Sequence, residues 1–165
     1  MHVFIIAALS ADGFIAKDSR HAASWTSKED KKFFVDRTKA AGVVIMGRTT
    51  FETIKKPLPG RKNIIYSRKN IVVPDALVTH EDPRALLGQL EEQGHKEVVI
   101  IGGAQIYTLF MSRGLVDTLY LTIEPILFGS GISLFGQPLA ASLILNASTS
   151  LGGSTILNEY KVVHS

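Results

Sequence analysis

The sequence predicts an α/β fold: one central, mostly parallel sheet of eight strands with mixed direction, flanked by about four helices and finished by an antiparallel C-terminal hairpin. Three observations predict it. Apolar runs recur along the chain, and several of the early ones are continuous, β-branched and bounded by turn residues, the pattern of strands buried on both faces. Helical stretches with capping residues fall between those runs. The last two runs have no helix between them and meet at Gly152-Gly153.

Taken in order, "MHVFIIAALSADG" opens with an apolar run over 3–9. The run is short, lacks a basic flank and is followed by Asp12, so it reads as a strand and not as a signal peptide or membrane span. "TSKEDKKFFVDRTKAAG" reads as a helix with Thr26 as N-cap and Gly42 as its end. A strand at 43–46, a short helix in "TFETIKK" and strands at 63–67 and 77–79 follow. "DPRALLGQLEEQG" carries Asp82 as cap, Pro83 at the first helical position and Gly94 at the close. A strand at 98–101 runs into the helix "AQIYTLFMSRG", and strands at 118–123, 143–148 and 155–163 complete the set. The 165 residues suit one domain, 1–165.

Composition narrows the function. The chain has 45% hydrophobic and 20% charged residues, as in ordinary soluble proteins. It contains no cysteine, which removes disulfides and thiolate metal sites; no metal is expected, and a cytoplasmic location fits. The net charge is +3, with acids and bases interspersed. A nucleic-acid binder would concentrate its basic residues in a stripe. A mildly basic surface suits an anionic small molecule.

Three stretches carry candidate chemistry. In "VVIIGGAQIY", residues 98–107, a buried strand passes through Gly102-Gly103 straight into a helix. Glycine admits close approach, and a helix start presents free N–H groups to an anion; a tight turn with no ligand would use the same two glycines. "GRTT", from Gly47 through Arg48 and Thr49 to Thr50, repeats the design, with the threonines as caps or phosphate donors. "YSRKN" adds Ser67, Arg68 and Lys69 at the next strand end. An adenosine 2′-phosphate needs such a cluster, which favours NADPH over NADH. In "WTSKEDKKFF", Ser27 and Asp30 have capping spacing, and so do Thr26 and Glu29. If Glu29 caps, Asp30 is free, on the same helical face as Phe34. A carboxylate on an aromatic face needs a partner, such as a ligand with two N–H donors.

These pieces resemble the dihydrofolate reductases over nearly the whole chain, most specifically in "VIMGRTTFETIKKPLPGRKNII", with support from "IIAALSADGFIA", "IIGGAQIY" and "DTLYLT". The resemblance implies that fold and NADPH-dependent reduction of dihydrofolate. It implies that Asp30 holds the pterin and is the catalytic residue. Ile6, Ala8, Phe34, Ile54 and Leu58 then match the walls of the substrate slot, with Ile101 and Tyr107 beside them. Arg61 matches the arginine that grips the substrate's α-carboxylate, Thr122 the hydroxyl behind the acid, and Trp25 a tryptophan beside the substrate. The cofactor positions are Ala8, Ile15, Gly47, Arg48, Thr49, Thr50, Ser67, Arg68, Ile101, Gly102, Gly103, Ala104, Gln105, Ile106 and Tyr107, with a cis bond expected at Gly102–Gly103. "ALSADGFIA" and "PILFGSGISLF" are similar to the reductase domain of the riboflavin pathway, and Lys31 stands where folate enzymes usually have an apolar residue. The segment "AKDSRHAAS" lacks the Met-Pro of the folate enzymes' active-site loop. Lys31 and Arg61 could therefore hold the ribose phosphate of 5-amino-6-(5-phosphoribosylamino)uracil instead. A non-catalytic nucleotide-binding module is the alternative of another class. The expected state is monomer or homodimer, with neither nucleic acid nor membrane as partner.

Overall fold

The computed structural model describes residues 1–164. Its main sheet has eight strands in the order β5-β4-β3-β6-β1-β7-β10-β9. The central members are β1 (His2–Ser10), β3 (Val43–Gly47), β6 (Glu97–Gly102) and β7 (Thr118–Glu124). Outside β3 lie β4 (Lys62–Tyr66) and β5 (Ala76–Thr79), all parallel. Beyond β7 comes β10 (Thr155–Val163), antiparallel to it, and then β9 (Ser142–Gly152), antiparallel to β10. The hairpin turn is Gly153-Ser154, one residue past the expected place, closed by the Gly152–Thr155 pair, and Gly152 and Gly153 are both at positive φ. This is the mixed, mostly parallel α/β sheet that the sequence predicts.

Period-2 alternation splits the core between the faces. Val3, Ile5, Ala7 and Leu9 of β1 face the side covered by α3 (Pro83–Glu92) and α4 (Ala104–Met111), through Leu86, Leu90 and Phe110. Phe4 and Ile6 face the side covered by α1 (Lys28–Ala41) and α2 (Arg48–Ile54), through Phe33, Phe34, Phe51 and Ile54. β3 is buried along its whole length, which is why it reads as an unbroken apolar run.

Two features escape sequence reasoning. Phe14–Ala16 (β2) and Ile132–Ser133 (β8) pair in a separate two-stranded ribbon, and Ala23–Trp25 forms a 3-10 turn. Such short pieces carry no periodicity. The N-cap of α1 also differs from the expectation. Ser27, not Thr26, caps the helix, accepting from Asp30 N at 3.1 Å.

α1 is tied to the sheet by a charged pair. Arg37 forks onto Glu97 of β6, with both N–O distances at 2.7 Å, and its guanidinium lies over the Phe4 ring, 4.0 Å from the centroid. Hydrogen bonds from Arg37 hold the Glu97 carboxyl down at about 2, with His2 adding to the effect. Its folded-state value therefore lies below the unfolded one. The resulting stability is present above the ordinary glutamate pKa and is lost as pH falls toward 2. We expect Glu97→Gln to cost about 1–2 kcal/mol at pH 7, and urea titrations at descending pH should show that gap closing in acid.

Candidate active site

The carboxyl ends of β1, β3, β4 and β6 open into one cleft of about 1290 Å³. Its place follows from connectivity. The chain leaves β1 for β3, builds outward to β5, returns to insert β6 between β3 and β1, and then crosses to β7. Crevices outside the carboxyl ends of parallel strands at such a reversal are where α/β sheets take ligands.

Asp30 sits on one wall with Ile6, Ala8, Phe34, Ile54 and Leu58. It is only 8% exposed. What frees its carboxylate is Glu124, at the end of β7, and not Glu29. Glu124 Oε1 accepts from both Ser27 N and Ser27 Oγ at 2.9 Å, and Oε2 accepts from Thr155 Oγ1 at 2.9 Å. Ser27 Oγ in turn accepts from Asp30 N. The backbone N–H that a capping carboxylate at position 30 would take is thus already taken. Among the described residues, the Thr122 and Thr26 hydroxyls stand beside the Asp30 carboxylate, and neither closes a full hydrogen bond to it.

Burial raises the Asp30 carboxyl above the ordinary aspartate value, and the Glu124 charge pushes the same way. The Thr122 and Thr26 hydroxyls and the Lys31 ammonium pull it down. Thr122 is fully buried on β7 beneath the acid, and its Oγ1 has no hydrogen-bond partner. Trp25 Nε1 and Tyr66 Oη are likewise buried and unpartnered, and both residues line the cleft. Orphaned buried polar atoms are uncommon in folded proteins. Among the described residues all three belong to this cleft or to its floor, as expected of a site completed by a bound molecule.

The other end of the cleft is built for an anion. Gly102–Gly103 is a cis bond. A Cβ at Gly102 would meet Thr50 Oγ1 at 3.1 Å and one at Gly47 would meet Ile106 at 3.0 Å, so both strand ends need glycine to let α2 and α4 close in. Gly103 caps α4 without a side-chain bond, which leaves the first N–H groups of the helix, at Ala104 and Gln105, facing the cleft. Gln105, Ile106 and Tyr107 follow on the same wall, and Ile15 stands opposite on β2. Tyr107 is pinned by donating to Ile6 O at 2.9 Å. Thr49 and Thr50 do not cap α2; Gly47 is its N-cap and the threonines lie within the first turn. Arg48 is paired with Glu52 one turn on. Ser67 closes its own turn, accepting from Lys69 N and donating to Lys69 O at 3.0 Å, and so sets Arg68 and Lys69 at the cleft mouth.

Two expected site residues do not reach the cleft surface. Thr122 lies under it. Arg61 stands outside its lining, donating from Nη1 to Thr38 Oγ1 at 2.8 Å and from Nε to Pro59 O at 3.0 Å. Conversely, the cleft includes residues that sequence reasoning passed over. His80 and Arg113 line the same cleft as Arg68, and His21 packs on Trp25 in the loop before α1. These come from separate loops with no local motif. Only the Glu124 carboxylate, closing an apolar strand, left a signal that could have been followed.

The geometry generates two expectations. Asp30 has a raised folded-state value, so the folded chain loses stability as pH rises through the unfolded and then the folded pKa. Asp30→Asn should melt at a higher temperature than wild type at pH 7, with the difference fading in acid; scanning calorimetry across pH reads this. Glu124→Gln keeps the shape but removes a negative charge near Asp30. Titrating the Asp30 carboxyl by NMR should then give a lower pKa than in wild type.

Comparison with known proteins bears on the same residues. Residues 2–125 match the family described as Dihydrofolate reductase. A dihydrofolate reductase type 3 from Salmonella typhimurium is 37% identical over 122 residues, 74% of this chain and 71% of that one. A crystal structure of a putative riboflavin biosynthesis protein from Shewanella sp. PV-4 shares the fold at a TM-score of 0.84 and 23% identity, covering 99% of this chain and all of the other. A dihydrofolate reductase from Enterococcus faecalis complexed with NADP(H) does so at 0.74 and 22%, covering 98% and 96%. With the matched region spanning β1 to β7 and all but two of the cleft-lining residues, Ile132 and Gly136, the chain belongs to the dihydrofolate reductase family.

Proposed function

We propose that this protein reduces 7,8-dihydrofolate to 5,6,7,8-tetrahydrofolate with NADPH. The observation that carries the reading is Asp30: a buried carboxylate on an apolar wall whose capping duty has been taken over by Glu124. A flat heterocycle offering an amino group and a ring N–H satisfies both of its oxygens. NADPH supplies the hydride for pterin C6, while a proton from solvent goes to N5 and NADP⁺ leaves. Gly102, Gly103 and the start of α4 are suited to its pyrophosphate, and Arg48 and Arg68 to its 2′-phosphate. Arg48 then exchanges Glu52 for the phosphate.

The chain's own contribution is positional. Asp30 orients the pterin and, through its negative charge, favours protonation at N5. Phe34, Ile54 and Leu58 keep water from the ring, and Ala8 and Tyr107 border both halves of the cleft. Arg61, already steered by Thr38 and Pro59, offers its remaining N–H groups to the α-carboxylate of the glutamate tail. A pyrimidine reductase is the second reading, and one feature favours it: Lys31 lines the cleft next to Asp30 and could pair with a ribose phosphate.

Loss of NADPH absorbance with dihydrofolate, and separately with 5-amino-6-(5-phosphoribosylamino)uracil, tests both readings. Turnover of dihydrofolate that falls about 10²–10⁴-fold in Asp30→Asn supports the proposal. Turnover of the pyrimidine alone transfers it to the second reading, and oxidation with neither leaves a nucleotide-binding module. Arg61→Leu should raise KM for dihydrofolate about tenfold or more with NADPH affinity unchanged, the scale of one lost charge-assisted bond. Equal loss for both molecules would contradict its assigned role.

A further inference from the structure

We propose that β9 is a homodimer interface: two copies of the protein pair antiparallel, edge to edge, and join their sheets into one. The two ends of the sheet differ sharply. At one, β5 is four residues long, the short kind of edge that resists pairing. At the other, β9 has eleven residues, and the first nine are exposed on both faces. Leu143, Ile144 and Leu145 stand 40%, 53% and 53% exposed in consecutive positions, and neighbouring Val163 adds 42%. An isolated surface leucine means little. Three in a row on an edge strand, where alternate backbone groups also lack a ladder partner, are an unfinished sheet.

The chemistry selects a second copy over a foreign chain. β9 contains no charged residue and no proline, so it has none of the usual edge defences apart from two irregularities, one of them at Leu151 beside the turn. The other is a bulge at Asn146, where Leu145 pairs with Tyr160 but Ala147 pairs with Glu159. It ends the apolar segment and confines pairing to the leucine side. A twofold axis at Ile144 places each side chain of 143–145 opposite an apolar one, and no like charges meet. An uncharged edge carries no code for choosing a different partner, whereas self-pairing needs none.

Area agrees. The described chain exposes 8875 Å² for a mass of 18.0 kDa. A folded monomer of that mass exposes roughly 8000 Å². The chain thus exposes roughly 800 Å² more than a compact monomer of its mass, as a protruding, uncovered strand would add. The family match ends at residue 125, before this hairpin begins, so the match to that family does not supply the feature.

Sedimentation equilibrium on the purified chain across micromolar concentrations should return twice 18.0 kDa. Hydrogen exchange on the wild type should show protected amides over 142–146. The double variant Ile144→Lys, Leu145→Lys should sediment as a single chain with unchanged far-UV circular dichroism. Val72→Lys, at a 95% exposed residue far from this edge in sequence, should remain paired. A wild type of single-chain mass at every concentration would overturn the proposal, leaving the edge to some other chain. So would a dimer whose 142–146 amides exchange freely, since the contact would then lie elsewhere. If the double variant fails to fold, mass and exchange on the wild type still decide.

Discussion

Everything at the candidate site depends on how one buried glutamate is satisfied. Glu124 takes three hydrogen bonds, two from Ser27 and one from Thr155, and thereby reaches full pairing inside the protein. Asp30, one link away through the Ser27 hydroxyl, is left with none. Two carboxylates of the same chemistry become a structural brace and an open binding group solely through the number of donors around each. A buried charge without partners is costly, and its proton affinity rises to relieve that cost. The stability lost at Asp30 is the kind of deficit that sites carry and that a complementary ligand removes.

The same logic of withheld partners runs through the cleft. Thr122, Trp25 and Tyr66 each bury a polar atom with nothing to bond. The start of α4 leaves N–H groups unspent because its cap is a glycine. Arg48 does have a partner, but a weakly held one: an exposed pair one helical turn apart contributes only a few tenths of a kcal/mol. Exchanging Glu52 for a phosphate therefore costs little. By contrast, Arg37 and Glu97, remote from the cleft, are joined by two bonds and stacked on Phe4, and that pair is not available for exchange. Strong pairs hold the scaffold, and weak or absent ones mark the binding surface.

How much of this could be read in advance follows from the range of the interactions. The eight sheet strands and four helices were legible because burial on both faces writes unbroken apolar runs, and caps such as Asp82-Pro83 write local signals. Gly102-Gly103 and the Arg48 strand end were legible as sequence-adjacent motifs. The freeing of Asp30 is expected from the sequence, but through the wrong glutamate: Glu29 has the local spacing, whereas Glu124 lies 97 residues from Ser27 and its place at a strand end does not say which residue it serves. His80 and Arg113 reach the cleft for the same long-range reason. Arg61 matched in sequence, yet its Thr38 contact turns on a helix that no motif in "PLPGRK" reports. β9 is legible as a strand but not as an edge, because a local pattern such as "LIL" cannot say whether a sheet ends there.

That hairpin is more than an appendage to the site. Thr155 of β10 closes the third bond to Glu124. At the turn, a Cβ on Gly152 would come within 3.2 Å of Glu29 Cγ, on the first turn of α1. The first turn of α1 is therefore held from below by β7 and from the side by the hairpin. A shift of the hairpin relative to β7 reaches the first turn of α1 by two routes, through Glu124 and Ser27 and directly at Glu29. The family match stops at residue 125, one residue after that glutamate, so the acid belongs to the shared scaffold while part of its support belongs to the chain beyond. Exchanging the C-terminal hairpin for another family member's would thus alter the geometry of the anchor without touching a single cleft residue.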